Sequence, residues 1–78
     1  MTMIKNDIIQ FCIEDKDIKQ KIINQEYFYF RYKQKTYCFD LDFNNTNYKL
    51  FYYDNKDTFK LGTIARNKLL QMINLRTL

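Results

Sequence analysis

The chain contains no histidine, no proline and no tryptophan, and it has one glycine, Gly62, and one alanine, Ala65. Each gap removes a class of chemistry. Without histidine, no side chain titrates near neutrality unaided, so a general base would need a strongly shifted Asp, Glu, Lys or Tyr, and no spacing singles one out. Two cysteines, Cys12 and Cys38, with neither a Cys-x-x-Cys spacing nor an imidazole, do not make a metal-ligand set. One glycine cannot build a phosphate-cradling loop. No apolar run approaches the roughly 20 residues that span a bilayer, and Met1-Thr2-Met3-Ile4-Lys5-Asn6-Asp7 lacks the apolar core of a signal peptide. These absences predict a cytoplasmic, non-enzymatic protein without cofactor or metal, its two thiols reduced and packed as small hydrophobes.

What is present is as skewed. Of the 78 residues, 41 are Lys, Asn, Ile, Phe or Tyr, whose codons are A/T-rich, so the composition reports an A/T-rich genome before any selected function. The apolar share is 46% and the aromatic share 18%, a generous supply for one compact domain over residues 1–78; a chain this short buries only about 60% of its unfolded surface. The net charge of +4 is local: residues 1–24 and 25–54 are each balanced, whereas 55–78 carry five cations against Asp57 alone. Such an excess can steer an anionic partner.

Hydrophobic periodicity divides the chain into helices and strands. Ile4, Ile8, Phe11, Ile18 and Ile22 follow a helical repeat over residues 6–24, broken where Asp15 takes an apolar position. Capping boxes at Asp7/Gln10 and Asp17/Gln20 suit two short helices, 6–14 and 17–24, or one helix over 6–24 bent near residue 15. The period then changes to two. Tyr37, Phe39, Leu41 and Phe43 alternate with Thr36, Cys38, Asp40 and Asp42, and with 26–33, 36–43 and 47–54 as strands the connections are short enough for an antiparallel meander. Asp54-Asn55-Lys56-Asp57-Thr58 supplies caps for a last helix over 58–75, on which Leu61, Ala65, Leu69, Met72 and Ile73 form a stripe and Gly62 allows close approach to the sheet. The expected fold is α+β, a three-stranded meander covered on one face by the terminal helices.

Alternation then divides the sheet's side chains. Phe28, Phe30, Tyr32, Tyr37, Phe39, Leu41, Phe43, Tyr48, Leu50 and Tyr52 belong beneath the helices, and the opposite face carries Tyr27, Tyr29, Arg31, Cys38, Asp40, Asp42, Lys49, Phe51 and Tyr53. Stiff rings among charges of both signs are the chemistry of interface hot spots. Cross-strand aromatic pairs also stabilise a thin sheet by up to about 1 kcal/mol each, which is the plainer reading of the same residues. The expected partner site is Tyr27, Tyr29, Arg31, Asp40, Asp42, Lys49, Phe51 and Tyr53, docking a host protein or protein complex without any membrane role. An exposed aromatic face of this kind could also pair two copies of the chain as a homodimer. Small size, composition and the lack of catalytic motifs suggest a phage or mobile-element accessory protein that inhibits or modulates a host defence or nucleic-acid-processing machine.

Two other readings come from the same residues. Nucleic acid could stack on the aromatic face or meet a basic C-terminal helix bearing Lys56, Lys60, Arg66, Lys68 and Arg76, although Asp40 and Asp42 would repel phosphates. The order helix, three strands, helix and the tripeptide Ala65-Arg66-Asn67 resemble the double-stranded RNA-binding domain, with its Ala-Lys-Asn in the final helix. Where that family grips phosphate with two lysines, this chain has Gly62 and Thr63. The third reading is a small toxin ribonuclease, with Arg31, Lys33, Tyr53 and Arg66 as its candidates.

Overall fold

A computed structural model describes residues 4–77, with side chains described for residues 5–74. Two helices, α1 (Ile4–Glu14) and α2 (Lys16–Ile23), lead into β1 (Phe28–Tyr32), β2 (Lys35–Leu41), β3 (Asn47–Asp54) and β4 (Asp57–Ala65), and α3 (Arg66–Thr77) follows. The strands form one antiparallel sheet in the order β1-β2-β3-β4. The class is α+β as the sequence implies, but with four strands rather than three.

Of the two N-terminal arrangements the pair of helices forms, with a different cap. Asp15, the flaw in the helical repeat, is itself the N-cap of α2: its carboxylate accepts from the amides of Asp17 and Ile18, both at 3.0 Å. Helix starts leave amides without partners, and a short carboxylate at the N-cap satisfies them. Asp17 therefore lies inside the first turn, and Asp7 lies in the first turn of α1 instead of capping it.

The expected helix over 58–75 starts eight residues late, at Arg66. Asn55 adopts a left-handed backbone (φ 50°), so Asp54-Asn55-Lys56-Asp57 closes a hairpin instead of capping a helix. Asn tolerates that conformation because its short polar side chain bonds locally. Strand β4 then covers what would have been the long, aromatic edge of β3. Leu50 pairs with Gly62 and Phe51 with Lys60, so Leu61 is the extra residue of a β-bulge. Gly62 does serve a close approach, made by a side chain of α1: Lys5 crosses it to donate to the Thr63 carbonyl at 3.2 Å, and a Cβ on Gly62 would stand 2.5 Å from Lys5 Cδ.

All three helices lie on one face of the sheet. Ile8, Cys12, Ile13 and Ile22 from α1 and α2, and Leu69 and Ile73 from α3, pack over Phe28, Phe30, Tyr37, Phe39, Tyr48 and Leu50. Phe39 is at the centre, its ring 5.7 Å from those of Phe28 and Phe30 and 5.3 Å from Tyr48. Burial pushes the Cys12 thiol well above its ordinary pKa, so it stays a neutral hydrophobe. Phe43 departs from its expected place beneath the helices. It lies beyond the last residue of β2, at the tip of the β2–β3 connection, and is 98% exposed.

That connection is organised by Asp42. Its carboxylate accepts from the Thr46 amide (2.8 Å), the Asn47 amide (3.2 Å) and Asn47 Nδ2 (3.3 Å). These donors, the Thr46 amide foremost, hold its pKa below the usual aspartate value. Asp42 thus contributes stability that is present above the ordinary carboxylate range and is lost as pH falls through the lowered value. Asp42→Asn is expected to flatten the decline in melting temperature below about pH 4; an unchanged acid limb in thermal melts would contradict this.

Candidate functional site: the uncovered sheet face

Among the described residues no helix covers the opposite face of the sheet, and the strand register assembles its side chains in rows. Tyr29 lies beside Cys38, then Phe51, then Lys60; Arg31 lies beside Thr36, then Tyr53, then Thr58; Asp40 lies beside Lys49 and then Thr63. Directly opposed residues on adjacent strands project to the same side, with Cβ atoms about 5 Å apart. Tyr29 and Tyr53 meet edge to face, centroids 5.8 Å apart and planes at 81°. Arg31 donates to Thr36 Oγ1 at 3.3 Å. Tyr27 is 65%, Tyr29 56% and Tyr53 40% exposed, far above the 0–8% of Phe28, Phe30, Tyr37, Phe39 and Tyr48 in the core.

Between the rows is a shallow depression of about 250 Å³, bounded by Tyr27, Tyr29, Asp40 and Phe51, with Cys38 and Thr58 in its lining. Cys38 itself is buried, and burial together with the neighbouring Asp40 raises its pKa, so the thiol is a poor nucleophile. The Tyr29 phenol is likewise shifted up, first by the charge of Cys38 when ionised and then by burial and its tyrosine neighbours, which keeps it a neutral donor and acceptor at neutral pH.

Most of the expected partner-site residues converge here, and one does not. Tyr27, Tyr29, Arg31, Asp40, Lys49, Phe51 and Tyr53 share the face. Asp42 lies beyond the end of β2, its carboxylate committed to the turn. Lys60, expected on a helix, instead joins the face from β4, opposite Phe51. The signal that points to it is the hairpin tetrapeptide 54–57 followed by Thr58-Phe59, residues suited to a strand.

The expected basic helix is dispersed. Lys56 is in the β3–β4 turn, Lys60 on β4 and Lys68 exposed on α3, and the side chain of Arg76 lies outside the described residues. Arg66 plays a structural part, because its Nε and Nη2 donate to the carbonyls of Ile22 (3.4 Å) and Ile23 (3.0 Å) and so cap the C-terminal end of α2. A cation there also complements the helix dipole. Arg66→Met is expected to cost about 1–2 kcal/mol, checked by urea unfolding; a change within error would refute the capping role. The ribonuclease candidates do not gather either. Arg31 and Tyr53 share a row, Lys33 lies in the β1–β2 turn with its ammonium 5.3 Å from the Tyr32 ring, and Arg66 is at the other end of the sheet, where its amide donates to the Thr46 carbonyl.

Among the described residues, no group of three or more Cys, Asp or Glu side chains could hold a metal ion, and no helix is long and apolar enough to cross a membrane. The double-stranded RNA-binding likeness fails in its elements: Gly62, Thr63 and Ala65 lie on a strand, Arg66 begins α3, and the sheet has four strands. Compared with protein-family models, curated proteins and solved structures, the chain matches none.

Proposed function

We propose that this chain is a non-catalytic binding protein that occludes a protein partner through its uncovered sheet face. The observation that carries the reading is the contiguous exposed aromatic set, Tyr27, Tyr29 and Tyr53 around Phe51, on a face whose opposite side already holds the core. Exposed patches of large apolar rings rimmed by polar groups mark interaction sites. The A/T-biased composition supports an accessory protein of a phage or other mobile element, inhibiting or modulating a host defence or nucleic-acid-processing complex. That assignment rests on general type and on no motif. Affinity capture from host lysate tests it, using the full chain and a folded Tyr29→Ala/Tyr53→Ala variant: loss of a specific protein with the variant is expected, and equal recovery removes the face from consideration.

A second reading, single-stranded nucleic acid, gains support from the placement of Lys60 on the aromatic face. Asp40 on the same face weighs against it. Gel shifts with single- and double-stranded DNA and RNA at low and moderate salt separate the two, because a protein-occluding module leaves the oligonucleotides unshifted.

A further inference from the structure

We propose that the partner segment seated on this face is acidic, an apolar anchor filling the depression between Tyr27, Tyr29 and Phe51 while flanking carboxylates meet Arg31, Lys49 and Lys60. This deepens the docking reading and rests on it. The charge pattern is the first argument. The strand residues of the face supply three cations, Arg31, Lys49 and Lys60, and one anion, Asp40; Asp42, just beyond β2, stays ionised within electrostatic reach of Lys49, so that counting it leaves one positive charge in excess. The expected balance of signs thus becomes an excess of positive charge around a ring-lined hollow.

Placement is the second argument. Arg31 is on the edge strand β1, Lys49 on β3 and Lys60 on the opposite edge strand β4, so the cations surround the aromatic cluster instead of forming one point. Carboxylates distributed along a segment that crosses the strands match that spread, and complementary charges raise association rate and select partners. Arg31, steadied by Thr36, offers a planar fork suited to a carboxylate.

The same observations disfavour two other occupants. A second copy would bring six cations together with four aspartates, two Asp40 and two Asp42, so that a twofold pairing of this face gathers like charge instead of offsetting it. A nucleic-acid strand would run its phosphates past Asp40 at the rim of the depression, and Tyr29 and Tyr53 are locked edge to face at 81° instead of being offered as parallel stacking platforms.

The test is selection of a random peptide library displayed on yeast against the immobilised full chain, beside Tyr29→Ala/Tyr53→Ala and Lys49→Glu/Lys60→Glu, each verified as folded by thermal melting. The wild type is expected to enrich peptides in which Asp and Glu flank a large apolar residue. The aromatic variant is expected to reduce that enrichment by about a hundredfold or more, and the charge-reversed variant to select Lys- and Arg-bearing peptides instead. Neutral or basic peptides that still depend on Tyr29 and Tyr53 would overturn the acidic partner and leave the docking face standing. Enrichment indifferent to the aromatic variant would overturn both. Absence of any enrichment, or binding of fluorescein-labelled oligothymidylate that depends on Tyr29 and Tyr53, would overturn the acidic protein segment.

Discussion

Phe39→Ala is expected to destabilise the fold by about 3–5 kcal/mol, the cost of removing a fully buried ring and leaving a cavity. Its ring has no exposed surface and touches those of Phe28 and Phe30 on β1 and Tyr48 on β3, the strands on either side of it. A domain of 78 residues has about 4–12 kcal/mol of total stability at roughly 0.05–0.15 kcal/mol per residue. The variant should therefore unfold at far lower urea or remain largely unfolded in its absence, whereas Phe39→Leu, which keeps most of the volume, should cost clearly less. Similar midpoints for the wild type and the Ala variant would show that the helices do not pack where the core places them.

The second large effect is on binding. Tyr29→Ala/Tyr53→Ala removes two rings whose centroids lie 5.8 Å apart on the uncovered face. Truncating an interface anchor typically costs at least about 2 kcal/mol, so the pair should weaken partner affinity by about a hundredfold or more. Its effect on folding is expected to be smaller, up to about 1 kcal/mol for each ring's contacts with its strand neighbours, because both rings are exposed and meet across β2 from the non-adjacent strands β1 and β3. The ratio of the two losses is diagnostic. A fall in affinity that exceeds the fall in stability means a docking surface; equal, small losses mean that the rings only brace the sheet.

The parts of the fold legible in the sequence are those where one pattern runs without interruption. In strand β2, Tyr37, Phe39 and Leu41 take the helix-covered side on every second step, and that spacing leaves no other register although Cys38 is buried on the other face as well. The helix break is visible because Asp15 is costly on an apolar face, although its role as a cap is not. Strand β4 is hidden by its bulge. The extra residue at Leu61 resets the alternation between Phe59 and Ile64, so the surviving apolar positions, continued by Leu69, Met72 and Ile73, match a helical repeat instead. Phe43 misleads for a related reason, since extending the alternation of β2 by two residues overlooks that Asp42 has already begun the turn. The candidate face is legible through Tyr27, Tyr29, Arg31 and Tyr53, while Lys60 has no place on it until β4 is found.

Photo-cross-linking tests most directly whether the uncovered face is where a partner sits. With p-benzoylphenylalanine in place of Tyr29 or Tyr53 on the sheet, and in separate samples in place of Gln20 or Asn67, which are exposed on α2 and α3, the same partner preparation is irradiated. Adducts from the two sheet positions and none from the two helical ones are expected. Adducts formed only from the helical positions would contradict the account and move the binding surface to the other side of the molecule.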